Sequence, residues 1–313
     1  MITNKKLLLV ILYISFCTTT IIGQTNRSLP FLEVNADART FGMGNTNMGE
    51  SESMYLYTNP TSFLQKKDKF YGSYALGIYP EIENNKQLFH AFSTGFKLTD
   101  NQALMIGFRS LSGYKVMNMN QEGALESIKP ADQAINIAYA LQFTSNLSAY
   151  LGGSYIHSDL GKIAKTYGLN AGAYHHRQCL LSNNYGFYTI GISLTDLGGK
   201  VKYGQDGMES PLPTSIGLGG SFRYPFQTNQ SLLVALTTRY YMFPSNNSEF
   251  ASGLGLEYEL FNKVSLRTGY YWSKEMNYLT MGLGCNFKFI SLDVAYQKGD
   301  LNNLYQLGVH IQL

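Results

Sequence analysis

The chain has 313 residues and a formal net charge of +3, and only 14% of its residues are charged, against roughly 25% in ordinary soluble domains. The charges are scattered singly, which excludes the electrostatic footprint of a nucleic-acid binder, and three cysteines are too few for a disulfide framework. Abundant glycine (31), tyrosine (24) and phenylalanine (18) suit a wall in contact with lipid.

At the start, Lys5 and Lys6 precede an almost uncharged apolar run, Leu7 to Ile22, and then Gly23. The run is roughly 16 residues, short of the about 20 that a membrane-spanning helix needs. Residues 1–23 are therefore predicted to be a secretory signal peptide cleaved after Gly23. Cys17 lies within it, and the bulky Phe16 before that cysteine argues against a lipoprotein site. Only Cys179 and Cys285 remain in the mature chain, and no bridge between them is expected.

Residues 24–67 have a texture of their own. Asp37-Ala-Arg39-Thr-Phe-Gly42-Met-Gly44 is followed by Asn59-Pro60, which marks a turn or the end of a helix. Gly42 and Gly44 allow backbone conformations or close approaches that a Cβ would obstruct. This segment is predicted to be a short plug folded into the periplasmic end of a lumen; a disordered periplasmic tail is the alternative. Asp37 and Arg39 are expected to pair with lumen residues, and both glycines to be structural.

Residues 68–313 read as strands. Gln133 to Ser158 has no Asp, Glu, Lys or Arg, but Gln133, Asn136, Gln142 and Asn146 would be stranded in a lipid-embedded helix, so it is read as two strands. Near the end, Tyr305, Leu307, Val309, Ile311 and Leu313 alternate with Leu304, Gln306, Gly308, His310 and Gln312, which separates a lipid face from a lumen face. The segments around Leu254–Leu260, Val264–Ser273 and Leu279–Phe289 follow the same rule. About fourteen such segments fit, an even number as bacterial barrels require. The expected fold is thus all-β, a transmembrane antiparallel barrel in a Gram-negative outer membrane; a soluble β-sandwich would carry Lys and Glu on its outer face. Ser112 to Lys129 and Gly198 to Pro213 are assigned to long extracellular loops. Tyr224, Tyr240, Tyr241, Tyr270, Tyr271 and Trp272 are assigned to interfacial aromatic girdles.

The opening motif, together with Leu212-Pro213-Thr214, Gly255-Leu-Glu257-Tyr258, Arg267-Thr-Gly269-Tyr270 and Asp293-Val-Ala295-Tyr296, resembles the PorV/PorQ family. These are outer-membrane proteins of the Bacteroidetes type IX secretion system, similar in turn to FadL-like fourteen-stranded barrels with an N-terminal hatch. The resemblance implies a non-enzymatic component that binds exported proteins through their C-terminal signal domain. Its implied partners are the translocon channel, the secreted cargo and the surface attachment machinery. The alternative it leaves open is a FadL-like passive channel for hydrophobic solutes, with a lateral gap where Gly152-Gly153 or Gly219-Gly220 kinks a strand.

No nucleophile elbow, phosphate loop or zinc-ligand spacing is present, so no catalytic, cofactor or metal site is expected. His175 and His176 are read as loop histidines near Arg177. The inward-facing charges Arg109, Arg223, Arg239, Glu257, Glu259, Arg267 and Asp293 are expected to pair across neighbouring strands and to hold the lumen closed.

Overall fold

A computed structural model describes residues 27–313 except 83–84, 120–124, 182–183, 205–206, 244, 246–247 and 300–302. The predicted signal peptide lies outside the described residues. The first strands are β1 (Phe70–Ile78), β2 (Leu88–Thr99), β3 (Gln102–Ser112), β4 (Val116–Met119), β5 (Leu125–Ile128) and β6 (Ala131–Gln142). There follow β7 (Leu147–Asp159), β8 (Ile163–Leu181), β9 (Asn184–Gly198), β10 (Lys200–Val201), β11 (Ser210–Pro211) and β12 (Ser215–Gln227). The last are β13 (Gln230–Tyr241), β14 (Glu249–Leu260), β15 (Val264–Ser273), β16 (Asn277–Phe287), β17 (Ile290–Gly299) and β18 (Leu304–Gln312).

All but four of these form a closed antiparallel barrel of fourteen strands, sealed where β1 pairs with β18 from Tyr71↔Gln312 to Ile78↔Tyr305. Closure leaves no unpaired edge, the condition for crossing a bilayer with strands. The other four are two hairpins, β4 with β5 and β10 with β11. They lie in the two long connections predicted from Ser112 to Lys129 and from Gly198 to Pro213.

The wall is inside-out relative to a soluble domain. Leu307 is 40% exposed and its neighbour Gln306 is 1% exposed, and the same alternation runs along β13 to β18. Apolar side chains point to lipid while small and polar ones point inward. Because adjacent residues alternate, Tyr240, Tyr270 and Trp272 lie on the outer face but Tyr241 and Tyr271 face the lumen, which corrects their assignment to the girdles. His175 and His176 also differ from expectation: they sit on β8, not in a loop, with His176 buried and His175 against Tyr188. Cys179 and Cys285 are both free.

Neither glycine pair kinks the wall. The register of β7 with β6 and β8 runs unbroken through Gly152 and Gly153, and that of β12 with β9 through Gly219 and Gly220. Both pairs serve close packing: a Cβ on Gly152 would lie 2.8 Å from the Ile137 carbonyl, and one on Gly219 would lie 2.6 Å from that of Leu236. The register shifts instead between β8 and β9, where Asn170 faces a bulge made by Thr195 and Asp196. Asp196 takes a positive φ of 54° there.

Residues 27–67 run down the lumen. Arg27 and Ser28 meet Glu249 and the Pro211 carbonyl at the long-loop end, and Lys97 at the short-turn end holds the carbonyls of Leu64 and Lys66. The segment therefore spans both ends of the barrel and is not confined to the periplasmic one. It carries three 3-10 turns (Pro30–Leu32, Tyr55–Tyr57, Pro60–Gln65) and one short helix, α1 (Ala38–Phe41). At the top, Leu29, Phe31 and Leu32 pack with Ala134, Ile156 and Leu212; at the bottom, Tyr55, Phe63 and Leu64 pack with Tyr71, Ala103 and Met105.

Leu283 stands on the lipid face near the middle of β16. Leu283→Arg is expected to destabilise the barrel by about 2–4 kcal/mol, read from denaturant unfolding of protein folded into lipid vesicles. An unchanged midpoint would mean that this face does not meet the acyl chains.

Candidate functional site

The site is the contact between the N-terminal segment and the wall from β12 to β18. It begins with a glycine trough. A Cβ on Gly42 would lie 3.1 Å from the Gly282 Cα, and one on Gly44 would lie 2.7 Å from the Tyr270 carbonyl oxygen. Across the contact, side chains on Gly253, Gly255 and Gly269 would run into the backbone of Met43 and Gly44. Gly44 also has a positive φ of 68°. Glycines on both partners let the chain lie directly on the sheet.

That chain is irregular, so its polar backbone groups need partners where water is scarce. The wall supplies them from inward side chains. Thr280 Oγ1 accepts from Gly44 N at 2.8 Å, Ser221 Oγ from Glu50 N at 2.7 Å and Thr237 Oγ1 from Met48 N at 3.3 Å. Arg109 donates to the Leu32 carbonyl at 3.0 Å and Gln306 to that of Asn35 at 2.9 Å.

An ion-pair network then fastens the segment. Arg39, fully buried on α1, grips Glu257 of β14 with Nε and Nη2 at 2.8 Å each and donates Nη1 to the Glu50 carbonyl at 2.9 Å. Glu257 also accepts from Arg267 at 2.7 Å and from Arg223 at 3.1 Å. Arg267 continues to Asp293 at 2.5 Å, passing over Gly284, where any Cβ would collide with the guanidinium. Arg223 binds Glu259 at 2.8 Å, Glu50 at 2.9 Å and Glu52 at 3.1 Å. The Glu52 carboxylate lies within 4 Å of the cationic groups of Arg39, Arg223 and Lys66. Paired this way, the buried charges satisfy one another.

The structure thus brings Arg39, Arg223, Glu257, Glu259, Arg267 and Asp293 into one cluster. Arg109 and Arg239 stand apart in the long-loop half, Arg109 over Phe31 and Tyr57 and Arg239 donating to Asn47 at 3.0 Å. Among the described residues Asp37 pairs with no wall cation; it caps α1, accepting from Thr40 N at 3.0 Å and Ser53 Oγ at 2.5 Å. Asn59-Pro60 begins a 3-10 turn rather than ending a helix, with Asn59 as its cap and Pro60 in the first position. Glu50, Glu52 and Arg27 escaped the sequence reading. For the two glutamates, the available signal was an acidic pair without a cation between Asn45 and Ser53.

Space remains on either side of the segment. A cavity of about 280 Å³ in the long-loop half is lined by Phe41, Tyr79, Tyr241, Tyr271 and Tyr278, next to a polar one of about 110 Å³ at Arg109, Asn170 and Asp196. A third, of about 250 Å³, lies below, by Glu50 and His176. Met48, fully buried against Ser193 and Gly217, stands between the upper pair and the lower one.

Glu257→Gln weakens the shared partner of three guanidiniums and should cost about 3–5 kcal/mol, clearly more than Glu259→Gln, whose carboxylate is half-buried and serves Arg223 alone among the cations. Gly44→Ala should lift the segment off the wall. Its readout is protease cleavage within 27–67 of a barrel that keeps its heat-modifiable gel mobility; uncut protein would contradict the trough.

The family model described as "Type IX secretion system protein PorV" matches residues 20–248. Among solved structures, the Pseudomonas putida toluene transporter TodX is similar at 12% identity and a TM-score of 0.59, covering 94% of this chain and 99% of TodX. The Ralstonia pickettii toluene transporter TbuX follows at 11% and 0.55, covering 88% and 96%, and a Pseudomonas aeruginosa FadL homologue at 11% and 0.53, covering 88% and 98%. At these identities the structures speak for the fold alone. No curated protein sequence matches the chain. With a closed fourteen-stranded barrel and a family match over most of its length, the chain belongs to the PorV family of type IX secretion system outer-membrane proteins.

Proposed function

We propose that the protein is a non-enzymatic carrier of type IX secretion. It binds exported proteins through their C-terminal signal domain at the loops and rim, and passes them from the translocon channel to the surface attachment machinery. The observation that carries this reading is the occupied lumen: Arg39 and the chain around it are buried and ion-paired to the wall. A barrel whose interior is held this way acts through its exterior, and the long-loop end offers two hairpins for docking. Family membership supports the same assignment.

A passive channel for hydrophobic solutes is the second reading. It is favoured by the tyrosine-lined cavity of about 280 Å³ and by the bulge between β8 and β9, where a wall could part. Toluene transporters share this fold.

Gentle detergent pull-down from native outer membranes, followed by mass spectrometry, separates the two. Recovery of a large translocon barrel or of proteins sharing a C-terminal secretion domain is expected, and replacing Val116–Ile128 with a short glycine-serine linker should reduce it without altering barrel migration. A protein that returns alone, carrying only apolar small molecules, would favour the channel.

A further inference from the structure

The short-turn rim of the barrel has an asymmetric charge pattern. Lys67 and Lys69 lead into β1, Lys263 sits in the turn between β14 and β15, and Lys288 in the turn between β16 and β17. All four are exposed, and none has a carboxylate within ion-pair distance among the described residues. The backbone makes them one arc. Lys97 N donates to the Lys69 carbonyl at 2.9 Å, Lys69 N to Leu313 at 2.9 Å, Gln312 N to Phe289 at 3.0 Å and Asn286 N to Lys263 at 2.7 Å. The acidic groups on this stretch are Asp68 and Asp100. At the opposite end Lys86 pairs with Glu81 and Lys200 with Glu209, while Lys162 and Lys274 are exposed without a carboxylate within ion-pair distance among the described residues.

Aromatic side chains line the same arc. Phe261 is 65% exposed and Phe287 61% exposed, and neither has a ring partner among the described residues. Phe289 and Phe70 are exposed beside them. Phe261 and Asn262 occupy the left-handed region at φ 55° and 53°, and Lys288 has φ 35°. Tight turns of this hand favour Asn-Gly, and a bulky residue there is strained. Phe261 is thus held in such a turn with most of its side chain turned outward. Phe287 extends the outward row of Leu279, Met281 and Leu283, so the aromatics continue the lipid face up to the turn and place the lysines at headgroup level.

We propose that this arc is a recognition surface for anionic glycerophospholipids in the leaflet that meets the short turns. Lys67, Lys69, Lys263 and Lys288 contact the phosphates, and Phe261, Phe287 and Phe289 enter the acyl boundary. The occupant is lipid rather than an acidic protein because the apolar half of the pattern lies on the wall and not on the axial end. Half of the rim then holds a preferred lipid shell, which orients the barrel within the leaflet.

The test uses the full-length protein in phosphatidylcholine vesicles doped with spin-labelled phosphatidylglycerol or spin-labelled phosphatidylcholine, and reads the motionally restricted fraction of each label. Wild type is expected to prefer phosphatidylglycerol by about fivefold for each cation fully engaged at an anionic surface. The triple variant Lys69→Gln, Lys263→Gln, Lys288→Gln should lose most of that preference, and the long-loop variant Lys162→Gln, Lys274→Gln should keep it. Raising salt from about 0.1 to about 1 M shortens the screening length from about 10 to about 3 Å and should remove the preference without any substitution. Equal restriction of the two labels by wild type, or a preference unchanged in the triple variant, overturns the proposal. So does an unchanged lipid preference accompanied by loss of polyglutamate binding, which would assign the arc to an acidic protein.

Discussion

The structure depends on one constraint: irregular backbone at membrane depth must find every hydrogen-bond partner inside the protein. Water can meet the needs of a loop at the surface, but not easily those of residues 35–50 of this chain, enclosed by fourteen strands. The inward side chains of the wall meet that need. Thr280, Ser221, Thr237 and Gln306 are small or flexible polar groups placed opposite particular amides and carbonyls of the segment. A wall of leucines on that side would leave those groups unpaired at a cost of several kcal/mol each.

The glycine trough and the charge cluster follow from the same constraint. A segment can accept hydrogen bonds from a sheet only if it approaches closely, and Gly253, Gly255, Gly269 and Gly282 remove the Cβ atoms that would hold it off. Once the segment is that close, Arg39 has been taken out of water and needs a carboxylate, which Glu257 provides in a two-point contact. Glu257 is shared with Arg267 and Arg223, so the segment is tied to three strands through one group. Neutralisation here is mutual, and the cluster is worth more as a fixed geometry than as net stabilisation.

The consequence for function is a division of the molecule. The interior is committed to holding its own chain, with residual cavities above and below Met48. The exterior carries hairpins at one end, a lipid face around the middle and a basic, aromatic edge at the other. Such a division suits a protein that presents surfaces in a membrane more than one that conducts through its centre.

Much of the barrel was legible in the residues because strand periodicity is local. Leu307 and Gln306 alternate whatever lies beyond them, so faces, strand count and class could be read directly, and the motif from Asp37 to Gly44 already resembled the family. The same rule predicted inward placement of Glu257, Arg267 and Asp293. Partner choice was another matter, since Arg39 and Glu257 are separated by more than two hundred positions and no local pattern encodes which charge meets which. Asp37, adjacent in texture to Arg39, turned out to cap a helix. The bulge opposite Asn170 and the long-loop origin of the segment were equally out of reach. Sequence alone determined which side of each strand faces lipid, because side-chain direction follows from the pleat. Only the tertiary structure decided how the lumen is filled, because close approach and charge pairing depend on the three-dimensional register of strands that the chain order does not contain.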